Sequence, residues 1–194
     1  MCDFTFSSFL DHCSALEAVG VLTMRSSERR QVVAAAAEFG ALDRITNTSK
    51  NMHVTDLAIN KTLGMELAPA GHEHILEMPE SPLLLNHVGT VHASVQFALA
   101  EAGSGEFLLR HLGDAQSQVF VVLRTSDVKF RKPAHGVLRA SARFADGIAE
   151  SLATELASRG RALASVLDEV ADAQGIVTMT GQYDWFLQRQ PNAA

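Results

Sequence analysis

Glu101 is the residue whose surroundings most need a chemical explanation. It stands in VHASVQFALAEA, where Val91, Val95, Ala98, Leu99 and Ala102 recur at helical spacing and mark one face as apolar. A carboxylate on or beside a buried stripe is costly unless it is paired or opens on a cavity. Two readings follow: a paired or solvated carboxylate at the edge of the stripe, or an acid–base or nucleophilic group. Other residue types offer less. His72 and His74 form an H-x-H pair, but no cysteine or third ligand has metal-binding spacing, so no metal site is expected. Arg131 and Lys132 form a cationic pair suited to an anionic ligand. Gly103-Ser104-Gly105 lacks the Gly-x-Ser-x-Gly frame of a nucleophile elbow. Neither a glycine-rich phosphate loop nor basic–aromatic interleaving for nucleic acid is present.

The helix that carries Glu101 is expected to start at Thr90, whose hydroxyl suits an N-cap, and to close at the Gly103–Gly105 pair, with a helical tail over Glu106–Leu112. Around it the chain divides by pattern. Residues up to about 50 read as helical, with Ser27-Glu28 opening a run of good helix formers that Gly40 stops. DLAINKTL suggests a short helix ending at Gly64. MELAPAGHEHILEMPES reads as a strand interrupted near Pro69–Gly71. After the long helix, Gln118–Phe130 is rich in β-branched and aromatic residues. In Val137–Ala145, Leu138, Ala140, Ala142 and Phe144 alternate with polar residues, as in a half-buried strand. Ile148, Leu152 and Leu156 mark a surface helix ended by Gly160. Ala164–Ala171 and the alternation of Val177, Met179, Tyr183 and Trp185 predict a hairpin turned at Asp172–Gly175. The expected fold class is α+β: an antiparallel sheet with one face to bury, wrapped around one long apolar helix.

A length of 194 residues suits one domain with room for an extension. The net charge of −6 argues against nucleic acid as the main partner. No apolar run reaches the roughly 20 residues that span a bilayer, and the N-terminus lacks the basic region of a signal peptide. Cys2 and Cys13 are the only cysteines, so reduced thiols and a cytoplasmic location are expected.

From Leu63 to Leu187 the sequence resembles the hotdog-fold acyl-CoA thioesterases, most of all the phenylacetate-pathway type and its uncharacterised thioesterase-like relatives. Asn86, His92 and Glu101 match the family's spacing of an asparagine, a His-Gly-Gly at the helix start and a carboxylate within the helix. Ala93 and Ser94 depart from the glycine pair; they keep the backbone N–H groups but add side chains where the thioester approaches. Val128-Lys-Phe-Arg-Lys-Pro-Ala-His-Gly136 is similar to the stretch that family members place near the coenzyme A channel. The helical pattern before this match reads as an extension over 1–55, and the resemblance implies a hotdog thioesterase-like domain over 56–194. It also implies an acyl-CoA substrate, no cofactor beyond that CoA, and a homodimer or dimer of dimers.

Thioester hydrolysis needs an activated water or a carboxylate nucleophile, and donors for the developing oxyanion. In that scheme Glu101 is base or nucleophile. The first-turn N–H groups, chiefly that of Ser94, hold the oxyanion with help from the helix dipole. Asn86 orients the water, His92 bonds the carbonyl or the leaving sulfur, and Arg131 and Lys132 meet the phosphates of CoA. Geometry adds one requirement. Seven residues separate Ser94 from Glu101, about 10 Å along a helix, so one carbonyl cannot use both on the same chain. Two antiparallel copies of the helix about a two-fold axis would bring them together. The rival reading is a hotdog protein that binds acyl-CoA or a fatty-acyl group without hydrolysing it, favoured by Ala93-Ser94. A hotdog hydratase or dehydratase fits less well, because its pattern is not found.

Overall fold

A computed structural model of the chain describes residues 52–190, which belong to one compact unit, Ser49–Ala194. The helical stretches expected before residue 50, with Cys2 and Cys13, lie outside the described residues. The first described elements are a 3₁₀ turn, Val54–Asp56, and α1 (Ala58–Thr62), within the expected DLAINKTL segment and its approach. The interrupted strand becomes two short ones, β1 (Glu66–Leu67) and β2 (Leu76–Met78), paired antiparallel. The long helix α2 (Ala93–Leu112) follows. Then come β3 (Val119–Phe130), β4 (Leu138–Phe144), α3 (Ile148–Arg159), β5 (Arg161–Ala171) and β6 (Val177–Arg189).

The six strands form one sheet in the order β1-β2-β4-β5-β6-β3, and every pairing is antiparallel. Residues two apart share a face of a strand. Leu138 and Ala140 of β4, Ala162, Ala164, Val166 and Val170 of β5, and Met179, Tyr183, Trp185 and Leu187 of β6 are all buried on one face. Leu99, Ala102 and Leu108 of α2 are buried with them. Each fully buried aliphatic side chain contributes about 1.5–3 kcal/mol, so this shared core outweighs any local preference of the helix. The chain has the hotdog fold, a sheet wrapped around a central helix. α3 lies between β4 and β5, buries Leu152 and Leu156, and ends at Gly160 with φ 67°, a left-handed position that glycine adopts at no steric cost.

Two expectations for α2 are corrected. The N-cap is His92, not Thr90; its Nδ1 accepts from the backbone N–H of Ser94. Thr90 instead serves the preceding loop, where its hydroxyl takes a hydrogen bond from Asn86. The helix also does not close at Gly103–Gly105; it runs unbroken to Leu112. A glycine costs a helix roughly 1 kcal/mol relative to alanine. Here that cost permits close approach to the sheet. A Cβ on Gly103 would lie 2.8 Å from Asp168 Oδ2 and 2.9 Å from Ala140 Cβ. A Cβ on Gly105 would lie 3.3 Å from the Trp185 ring. Between them, Ser104 Oγ accepts from Trp185 Nε1 at 3.2 Å and donates to Glu101 O at 2.8 Å. Gly103→Ala is therefore expected to destabilise the fold by about 1–3 kcal/mol despite its better helix propensity. Thermal unfolding measures it, and an unchanged or higher melting temperature would contradict the close-packing account.

Candidate active site

The loop before α2 is built by Asn86. Its side-chain Oδ1 accepts from Val88 N (3.0 Å) and Thr90 N (3.1 Å), and its Nδ2 donates to Thr90 Oγ1 (2.8 Å). Asn86 N–H also donates to Thr90 O. The amide is thus engaged in shaping the turn that delivers the chain to the helix, as asparagine does through its own backbone neighbours.

His92 follows, exposed at the cap. Its Nδ1 accepts from Ser94 N at 3.1 Å and lies 2.7 Å from Ser94 Oγ. A nitrogen that accepts from a backbone N–H carries no proton, so the neutral ring holds its proton on Nε2. The Ser94 N–H expected to meet an oxyanion is therefore held by the cap in this chain. Removing the cap, as in His92→Ala, is expected to cost about 1 kcal/mol, read from chemical denaturation. A loss below a few tenths would mean that the ring contributes nothing to helix initiation.

Glu101 sits two turns further along α2, half-buried. Its carboxylate has no hydrogen-bond or ion-pair partner among the described residues. Burial pushes its pKa above the usual glutamate range. The paired-carboxylate reading of Glu101 finds no partner here. A different glutamate has that role: Glu106 is fully buried and accepts from Val54 N (3.1 Å) and Arg110 Nε (2.9 Å), with His53 Nδ1 at 2.8 Å.

The structure adds two polar groups beneath Glu101. Asp168 of β5 is 1 % exposed and Tyr183 of β6 is 0 % exposed. Among the described residues, neither Asp168 carboxylate oxygen nor the Tyr183 hydroxyl has a hydrogen-bond partner. Burial, and then the Glu169 charge, hold the Asp168 pKa well above the carboxylate range. Burial, and then the carboxylates of Asp168 and Glu101, push the Tyr183 phenol up. Phe97, one turn before Glu101, packs its ring 5.9 Å from that of Tyr183. The signal for Asp168 was present in the alternation Ala162, Ala164, Val166, Asp168, Val170, where a carboxylate occupies a core position.

The cationic pair is on exposed surface. Arg131 Nε donates to Thr180 Oγ1 at 3.0 Å, just past the end of β3, with Lys132 beside it. Arg131 lines a cavity of about 440 Å³ with Lys129, Arg143, Asp127, Glu169 and Gln182. Lys129, Arg143, Glu169 and Gln182 alternate with the buried residues of their strands, so this cavity opens on the sheet face opposite α2. Lys132 is not among its lining residues. His72 and His74 stand edge to face, 5.0 Å between ring centres, and His74 lies 3.5 Å from Glu77. Burial, then His72, lowers the His74 pKa. Among the described residues no three His, Cys, Asp or Glu side chains are grouped to hold a metal ion. No described helix is long and apolar enough to cross a membrane.

One family model, that of a domain of unknown function (DUF4442), matches residues 65–187, the sheet and its central helix together. The chain belongs to the DUF4442 family. Solved structures place this DUF4442 chain among hotdog proteins. PA5026 from Pseudomonas aeruginosa, of unknown function and described as a probable thioesterase, matches with a TM-score of 0.60 and 23% identity, over 73% of this chain and 94% of that one. The thioesterase HI1161 from Haemophilus influenzae matches with a TM-score of 0.56 and 16% identity, over 72% and 89%. BH2602 from Bacillus halodurans, solved with CoA, matches with a TM-score of 0.53 and 17% identity, over 85% and 93%. At these identities the likeness establishes the fold. No curated protein matches the DUF4442 chain.

Proposed function

We propose that this protein hydrolyses an acyl-CoA thioester to the free acid and CoA. The observation that carries the reading is Glu101: a desolvated carboxylate, without a partner among the described residues, on the central helix of a hotdog domain, two turns past the helix start. In the reaction, Glu101 takes a proton from water as the water oxygen bonds to the carbonyl carbon, or attacks that carbon itself to form an anhydride that water then hydrolyses. The C–S bond breaks and the CoA thiolate leaves to be protonated. First-turn N–H groups near Ser94 meet the oxyanion, with His92 and Asn86 at the same helix end. CoA in BH2602 and the thioesterase names of the relatives support the substrate class. Arg131, with Lys132 and the neighbouring Lys129 and Arg143, suits the phosphates.

The mechanism uses two chains, since Ser94 and Glu101 of one helix stand about 10 Å apart. β3 supports a dimer. It is the last strand of the sheet, 12 residues long, with one edge unpaired among the described residues. A long bare edge is a template for a second copy. The second reading, an acyl-CoA binding protein without hydrolysis, is favoured by one feature: the Ser94 N–H is already held by His92.

The test is free-thiol release from a panel running from acetyl- to palmitoyl-CoA with phenylacetyl- and benzoyl-CoA, with the oligomeric state measured on the same sample. Turnover by a dimer or larger assembly is expected. Binding of acyl-CoA without turnover would overturn hydrolysis in favour of the second reading, and turnover by a monomer would overturn the two-chain mechanism.

A further inference from the structure

Among the described residues, Asp168 and Tyr183 are unpartnered polar groups in the core beneath α2, and Gln96 Oε1 on α2 itself is also without a partner. An unsatisfied buried polar group is a free-energy liability, and this chain holds two side by side on neighbouring strands. The backbone makes room for both. Gly103 of α2 faces Asp168, and a Cβ there would lie 2.8 Å from Oδ2. Gly181 of β6 lies under the Tyr183 ring, and a Cβ there would lie 2.7 Å from Cε2. Asp168 and Gly181 are direct partners across the β5–β6 ladder, so the phenol is folded back toward Asp168. On the helix side, Phe97 packs on Tyr183 and Glu101 is one turn further on.

We propose that Asp168 and Tyr183 are positioning residues for Glu101, and that the three form one electrostatically coupled cluster between helix and sheet. This rests on the thioesterase reading, in which Glu101 does the chemistry. Two carboxylates and a phenol in one desolvated volume do not all ionise together. The deepest carboxylate, Asp168, remains the neutral acid. Glu101, which reaches the surface, is the one that ionises first as pH rises. The groups that act on the cluster are its own members and Glu169 on the outer face of β5. β4 faces Asp168 with Ala142 and the helix with Ala140, neither of which titrates. Gln96, earlier on α2, is uncharged.

The defining property of such a cluster is reciprocity: each carboxylate's titration depends on the other's charge. The experiment is a side-chain ¹³C NMR titration of the full-length protein. Asp168 is assigned by its absence in Asp168→Asn, and Glu101 by its absence in Glu101→Gln. In Glu101→Gln, the Asp168 titration is expected to move down by about one pH unit, because the opposing charge is gone. In Tyr183→Phe, the Glu101 titration is expected to move up, because the phenol dipole is lost from the desolvated volume. Alongside, the pH profile of kcat/KM for the preferred thioester is expected to lose its alkaline limb in Asp168→Asn while KM is unchanged.

An Asp168 titration that is the same in wild type and Glu101→Gln would overturn the cluster. That comparison leaves Asp168 in its native core, so it does not depend on how well the Asp168 variant folds. Absence of turnover on any thioester would remove the enzymatic reading and leave the NMR result to decide the coupling separately.

Discussion

Glu101→Gln is expected to lower kcat for thioester hydrolysis by about 10²–10⁴-fold, the usual contribution of a positioned acid–base group. The amide keeps the size of the side chain but neither accepts a proton nor attacks. KM should change little, because acyl-CoA binding does not depend on the Glu101 charge. The sign of the stability change separates this from general damage. Burial raises the Glu101 pKa in the folded state. A raised carboxylate favours the fold fully below its unfolded pKa, near 4.5, and that advantage is lost as pH rises through the folded value. Above the folded value the wild type carries the cost of a desolvated charge, so Glu101→Gln should be at least as stable as wild type there. The advantage of the glutamine should shrink as pH falls through the folded value and be gone below about 4.5. The wild-type activity should also need a higher pH to switch on than an ordinary glutamate would. A variant that loses activity and melts early would point to lost structure. A variant with full activity would remove Glu101 from the mechanism.

Glu106→Ala is expected to be the most destabilising single change on α2, by about 3 kcal/mol. Glu106 is fully buried and serves His53, the backbone of Val54 and Arg110 at once. Alanine removes every acceptor and leaves the Val54 N–H orphaned in the core. For a chain of this length that corresponds to a drop of roughly 6–12 °C in Tm. Arg110 and His53 are each nearly half exposed and recover water, which keeps the loss from being larger. Glu106→Gln, which retains one oxygen, should lose about half as much. Hydrogen exchange at the Val54 amide should accelerate in both variants, more in the alanine. If Glu106→Ala melts with the wild type, the anchor of residues 53–54 to the helix is not a stabilising feature.

These two glutamates, five residues apart on one helix, show how differently the same residue type reads. In the sequence, Glu101 stands out because it interrupts a run of Ala, Leu and Phe, and its lack of a partner among the described residues agrees with that oddity. Glu106 reads only as the start of a helical tail after two glycines. Its partners His53 and Val54 are more than 50 residues away in the chain, and no local pattern could join them. Asn86 and His92 were legible as residues of the helix entrance. The structure shows the work they do there: Asn86 closes the loop and His92 caps the helix. Arg131 was legible as a surface cation at a strand end, but the cavity it shares with Lys129 and Arg143 needed the β3–β6–β5–β4 register to assemble.

By itself the sequence determined the strands and the faces they bury, because a period of two is imposed by backbone geometry wherever it occurs. Leu138 and Ala140, Val166 and Val170, Met179, Tyr183 and Trp185 all lie where their alternation puts them. It also determined the end of α3, since Gly160 supplies a left-handed conformation that is a local property. The tertiary structure alone decided what lies across the interface. Gly103 and Gly105 look like a helix stop on propensity, where each costs about 1 kcal/mol. They are helix interior because Asp168, Ala140 and Trp185 occupy the space a side chain would need. Alternation assigned position 168 to the buried face, but only the packing of α2 on the sheet set that carboxylate against Gly103 and near the phenol of Tyr183. Periodicity is short-ranged and one-dimensional. The partners that make a buried carboxylate affordable, or leave it poised, come from segments distant in the chain.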